Sequence, residues 1–103
     1  MDLIPIKWLT VPDVADRLGV EAGAVRRMLA DRRVVAARQD GVQKIPEQFL
    51  VEVDGGWQVL ASLQGTLTVL SDVGFDDESA ITWLVTPDAD LGAAPLEALR
   101  AGH

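Results

Sequence analysis

The sequence predicts a mainly α-helical protein that carries one small β-hairpin and continues into a helical C-terminal extension. Three observations lead there. Two short helical stripes, Val14-Ala15-Leu18 and Val25-Met28-Leu29, are separated only by a tight turn around Gly19 and Val20. β-prone runs at 34–38 and 42–45 then flank Asp40-Gly41, the strongest short signal for a two-residue hairpin. From Leu60 onward the apolar spacing turns helical again.

The elements follow in chain order. Ile4, Ile6 and Trp8 alternate with Pro5, Lys7 and Leu9, which predicts a short extended lead-in. Thr10 reads as the N-cap of the first helix, with Asp13 three residues on in a capping-box position and Pro12 tolerated in the first turn. Gly19 stops that helix, because the stop requires a residue at ease with positive φ. The second helix runs over about 21–31. Pro46 closes the second strand of the hairpin, since it brings no N–H to a ladder. Runs at 49–53 and 57–60 flank Asp54-Gly55-Gly56, a second reversal. Leu60, Leu63, Leu67 and Leu70 form a helical stripe despite Gly65 and the β-branched Thr66, Thr68 and Val69, and Gly74 ends it. Asp76 caps a further helix through Ala80, Ile81, Trp83, Leu84 and Val85, broken at Thr86-Pro87. Pro95 opens a last short helix with Leu96 and Leu99. Two regions are therefore expected, 1–60 and 61–103, the second packed on the first.

Composition narrows the function. At 103 residues and 49% apolar, the chain can bury a modest core. No run of 18 apolar residues is present, so no membrane span is expected, and the N-terminus lacks a secretion-signal pattern. The absence of cysteine excludes disulfides and thiolate metal sites, and a cytoplasmic location is expected. His103 is the sole histidine, so neither a histidine-based dyad nor a histidine metal site can be built. Asp76-Asp77-Glu78 is explained by its place at a helix start, where carboxylates suit the helix dipole. No phosphate-loop pattern occurs. No catalysis, cofactor or metal is expected.

The charge is unevenly placed. The formal net charge is −7. Residues 1–50 hold eight Lys/Arg against seven Asp/Glu, net +1, while 51–103 hold one Arg against nine acids, net −8. A near-neutral half with clustered arginines can meet phosphate, and the acidic half is expected to face away.

Val11 to Met28 is the informative segment. Two short helices that cross steeply need a small residue where they touch (Ala15), a positive-φ residue in the turn (Gly19) and apolar fasteners, here Val14, Leu18, Val20, Val25 and Met28. That pattern, followed by a hairpin, predicts a winged helix-turn-helix that reads double-stranded DNA. The second helix turns Glu21, Ala22, Gly23, Ala24, Arg26 and Arg27 outward, and the arginines can fork onto guanine or phosphate. Ala22 and Gly23 let the backbone approach closely, and Thr10 sits at the start of the helix pair. The hairpin at about 34–45 is the wing, with Arg38 and Gln39 at its tip, Lys44 on its return strand and Arg32 and Arg33 at its base. Six basic groups thus fall within 19 residues. A regulatory DNA-binding protein is expected, working as a homodimer paired through Leu67, Leu70, Trp83 and Leu84.

Leu9-Thr10-Val11-Pro12-Asp13-Val14-Ala15 followed by Leu18-Gly19-Val20 resembles the opening of MerR-type and excisionase-type winged domains. The run from Gly65 to Asp72, with Trp83-Leu84 and Thr86-Pro87-Asp88, is more particular and resembles a small actinobacterial winged helix-turn-helix family over nearly the whole chain. That resemblance implies transcriptional or nucleoid-related DNA binding, with a C-terminal helical extension. The chain departs from that family by ending at His103, where the resemblance implies a further helix, and by lacking the polar N-terminal tail that it implies. Ala80, Trp83-Leu84, Pro87-Asp88, Leu91-Gly92, Pro95-Leu96 and Leu99 are also similar to the toxin-binding domain of Xre/MbcA/ParS-type antitoxins. The alternative it implies is an antitoxin-like adaptor that uses the acidic C-terminal helices to bind a protein partner. A plainer account makes Trp83, Leu84, Leu91, Leu96 and Leu99 core residues of a small helical cap.

Overall fold

A computed structural model describes residues 6–102 of the chain. Ile4 and Pro5 of the expected lead-in, and His103, lie outside the described residues. The chain runs through β1 (Trp8–Thr10), α1 (Val11–Leu18), α2 (Ala22–Ala30), β2 (Ala37–Gln39) and β3 (Val42–Pro46). A 3-10 turn at Glu47–Phe49 leads to β4 (Leu50–Val53), β5 (Gly56–Val59), α3 (Leu63–Asp72), α4 (Asp77–Val85) and α5 (Pro95–Gly102). The fold is mainly helical with two small antiparallel sheets. None of the described helices is long and apolar enough to cross a membrane.

The helix pair is written locally. Thr10 has extended backbone, its hydroxyl accepts from the Asp13 N–H at 3.2 Å, and its own N–H donates to Asp13 Oδ2 at 3.1 Å. That reciprocal box satisfies two donors that the first turn would otherwise leave bare. Gly19 stops α1 in the left-handed conformation, at φ 69°. The next N–H, of Val20, then reaches back to the Ala15 carbonyl at 3.0 Å. Val20 therefore fastens the turn through its backbone, and its side chain, expected in the core, is 39% exposed.

The first sheet has the order β1-β3-β2. Leu9 opposes Ile45, Thr10 opposes Lys44, and Arg38 opposes Gln43. Asp40 and Gly41 turn the hairpin with φ of 54° and 78°. Two left-handed residues in a row make the turn whose twist matches the flanking strands, which is why Asp-Gly signals it. Asp54-Gly55 repeats the device between β4 and β5, at φ 52° and 80°. The expected first strand is shortened: pairing starts at Ala37, because Val34 and Val35 are both fully buried. Successive strand residues point to opposite faces, so two neighbours buried together belong to an irregular segment plugged into the core.

One hydrophobic cluster joins the two ends of the chain. Val14, Val25, Ile45 and Phe49 share it with Leu60, Leu63, Leu67, Leu84 and Leu96. The expected helical stripes of α1, α3 and α4 all contribute. Trp83 and Leu91, by contrast, are exposed. Where the last loop enters α5 the buried positions are Ala94, just before the helix, and Pro95 and Leu96 at its start.

Candidate nucleic-acid interface

The outward face of α2 is built by elimination. Val25 is fully buried, and Met28 and Leu29 pack partly against the core, which leaves Arg26 and Arg27 exposed. Neither arginine makes an ion pair with another described residue. Gly23 lies one turn before Arg27, and a methyl group there would meet only the Arg27 Nη1, at 4.0 Å. Internal packing therefore gives no reason for glycine at this place. Glu21 takes the N-cap position without using its side chain as a cap.

The wing presents its cations less evenly than the sequence suggests. Arg33 and Arg38 are exposed, and Arg38 Nη1 also donates to the Gly41 carbonyl at 3.4 Å, lying across the turn. Gln39 is half-exposed on β2. Lys44 is half-buried on the central strand, between Thr10 and Ala37, and its charge acts on Asp13 at the start of α1. The Thr10 backbone N–H and then its hydroxyl hold the Asp13 carboxyl below the ordinary carboxylate range, with Lys44 and Arg17 adding to this. Thr10 is thus first a capping residue.

Arg32, expected at the base of the wing, is engaged elsewhere. Its Nη1 donates to Asp77 Oδ1 at 2.7 Å, and its Nε and Nη2 are shielded from solvent without a partner. The acidic half is also nearer than charge repulsion suggested. Asp76, Asp77 and Glu78 line one cleft of about 540 Å³ with Arg32, Ala36 and Arg38. The N-terminal end of α4 lies against the wing because Val34 and Val35 draw the base of the hairpin into the shared core.

The expected pairing surface is corrected by burial. Leu67, Leu70 and Leu84 belong to the internal core and are closed to a partner. Trp83 alone of the four is exposed, at 41%, over a shallow hollow that it shares with Phe75 and Thr82. Among the described residues no cluster of His, Asp or Glu has a metal-binding arrangement.

Two arginines that sequence reasoning passed over hold the scaffold together. Arg17 Nη2 pairs with Glu47 Oε2 at 2.7 Å, and its guanidinium lies 4.9 Å from the Trp57 ring centroid, tying α1 to β5. Arg100 Nη1 donates to the Gln48 and Leu50 carbonyls at 2.7 and 2.6 Å, tying α5 to the segment between the sheets. These contacts span 30 to 52 residues of sequence and leave no local pattern.

Residues 3–50 match the family model described as "DNA-binding protein Rv2175c, wHTH domain". Residues 60–103 match the "Rv2175c C-terminal domain of unknown function". The hairpin of β4 and β5 falls between the two matches. A Mycobacterium tuberculosis protein named "DNA-binding protein Rv2175c" is 36% identical over 103 residues, covering 88% of this chain and 68% of the relative. The NMR structure of Rv2175c superposes with a TM-score of 0.82 at 34% identity, over 99% of this chain and 75% of that one. An exposed arginine pair on the second helix of a capped helix pair, a basic hairpin after it, the two family matches and the 36% identical relative agree: the chain belongs to the Rv2175c family of winged helix-turn-helix proteins.

Proposed function

We propose that this protein binds double-stranded DNA as a transcriptional regulator on the nucleoid, and that it is not an enzyme. In this reading α2 enters the major groove with Arg26 and Arg27, Ala22 and Gly23 allow its backbone close, and the wing follows the phosphates with Arg33, Arg38, Gln39 and Lys44. Residues 1–60 form the reading unit, and 61–103 buttress it. The observation that carries the reading is the exposed Arg26-Arg27 on α2, in ion pairs with no other described residue, in a chain whose net charge is −7. The name of the Mycobacterium tuberculosis relative supports it. The pairing expected through Leu67, Leu70, Trp83 and Leu84 is left with Trp83, so a single copy is the unit proposed.

Replacing Arg26 and Arg27 together by Ala tests the assignment. About 1–3 kcal/mol of binding is expected to go with each good contact, and the melting temperature is expected to stay unchanged because both side chains are exposed. A folded double variant that binds duplex DNA like the wild type removes α2 from the interface.

A further inference from the structure

Arg32 stands out in the backbone as well as in its contacts. It follows α2 with φ 57°, in the left-handed region where glycine is usual. Its N–H donates to the Leu29 carbonyl at 3.2 Å, and the Arg33 N–H donates to the Met28 carbonyl at 2.9 Å, which closes the helix end. A glycine would serve that turn without strain. What the side chain adds is the 2.7 Å bridge to Asp77. The side chain as a whole is 34% exposed while Nε and Nη2 are shielded and unpartnered, so Asp77 satisfies only part of the guanidinium and an outward turn would give the rest partners.

The wing's Arg38 lines the same cleft as Asp77 and Glu78 in the acidic first turn of α4. A carboxylate and a DNA phosphate make the same kind of contact with a guanidinium, so they compete for it. Asp76 is committed to capping, because its carboxylate accepts from the Ser79 N–H at 2.8 Å. Asp77 and Glu78 are the two acids left to act across the cleft.

We propose that Asp77 and Glu78 form an intramolecular phosphate mimic that occupies Arg32, opposes phosphate beside Arg38, and lowers affinity for DNA of every sequence. The proposal rests on the DNA-binding reading and adds to it a restraint built into the C-terminal half. Phosphate contacts carry no sequence information, so the acids change the sequence-independent part of binding and leave base discrimination to α2.

The test compares Asp77→Asn/Glu78→Gln with Glu52→Gln/Asp90→Asn, which removes the same net charge at exposed positions outside the cleft. Both are titrated against several duplexes of different sequence over a range of salt, with thermal melts as folding controls. The cleft variant is expected to bind every duplex about three- to tenfold more tightly at low salt, with the salt slope steeper by about one unit. Adding Arg32→Gly to the cleft variant is expected to remove that added slope. Binding by the cleft variant alone, where the wild type shows none, supports the proposal further. A gain no larger than that of the control pair overturns the proposal while leaving the DNA-binding reading in place. A gain that survives Arg32→Gly overturns the competition for Arg32. Absence of binding by every form removes the DNA-binding reading and the proposal together.

Discussion

Thr10 and Asp13 show how much a three-residue spacing decides. Each gives the other a hydrogen bond, and together they fix where α1 starts and how β1 enters it. Thr10→Ala removes the side-chain cap and is expected to cost about 1 kcal/mol of stability, read from denaturant unfolding. Asp13 and Asp76 also make the fold acid-sensitive. The Thr10 N–H lowers the pKa of Asp13, and the Ser79 N–H lowers that of Asp76. Because the folded values lie below the unfolded ones, their contribution is complete above the ordinary carboxylate pKa of about 3.9 and is lost as pH falls through the lowered values. Thermal melts from about pH 5 to 2 are expected to decline less steeply for Asp13→Asn/Asp76→Asn than for the wild type. Equal declines would mean that neither cap is coupled to protonation.

At the scale of elements, the proposed reading makes Gly23 of α2 a place where stability and DNA binding pull apart. A glycine inside a helix costs up to about 1 kcal/mol relative to alanine, less in the first turn where Gly23 lies, and the space beside Gly23 admits a methyl group. Gly23→Ala is expected to raise stability by less than that amount and to weaken DNA binding, because the methyl group stands where the backbone nears the duplex. Higher stability with unchanged affinity would place the DNA elsewhere on the helix. Most elements were legible in the sequence because their signals are local: the capping box at Thr10, the Asp-Gly turns and the leucine stripe of α3. The site was legible only in part. Arg26 and Arg27 follow from helix periodicity, but the loss of Arg32 to Asp77 depends on a contact 45 residues away. Val34 and Val35 read as strand because their residue types favour it, and only the shared core makes them plugs. Leu67, Leu70 and Leu84 read equally well as interface or interior, and burial settled them as interior.

For the whole molecule, the two family segments act as one body. Phe49, Val14 and Ile45 from the first share a core with Leu63, Leu67 and Leu96 from the second, and Arg100 clasps the segment between the two sheets. Arg100→Ala removes the donor shared by the Gln48 and Leu50 carbonyls and is expected to cost about 2 kcal/mol, seen as a lower melting temperature for the whole protein. An unchanged melting temperature would show that the clasp adds nothing to the common core. The same coupling places acids of the C-terminal half beside the wing, so among the described residues the proposed DNA face keeps few cations without an ion pair: Arg26, Arg27, Arg33, Arg38 and the half-buried Lys44. The most direct measurement is therefore the salt dependence of duplex binding by the wild type and by Arg26→Ala/Arg27→Ala. With Arg33, Arg38 and Lys44 at the phosphates and Arg26 and Arg27 at base edges, the wild-type logarithmic slope is expected at about −3, and the double variant is expected to keep about that slope while binding more weakly at every salt concentration. No binding by the wild type at low salt, or the same affinity for both proteins, would contradict the assignment of α2 as the DNA-reading helix.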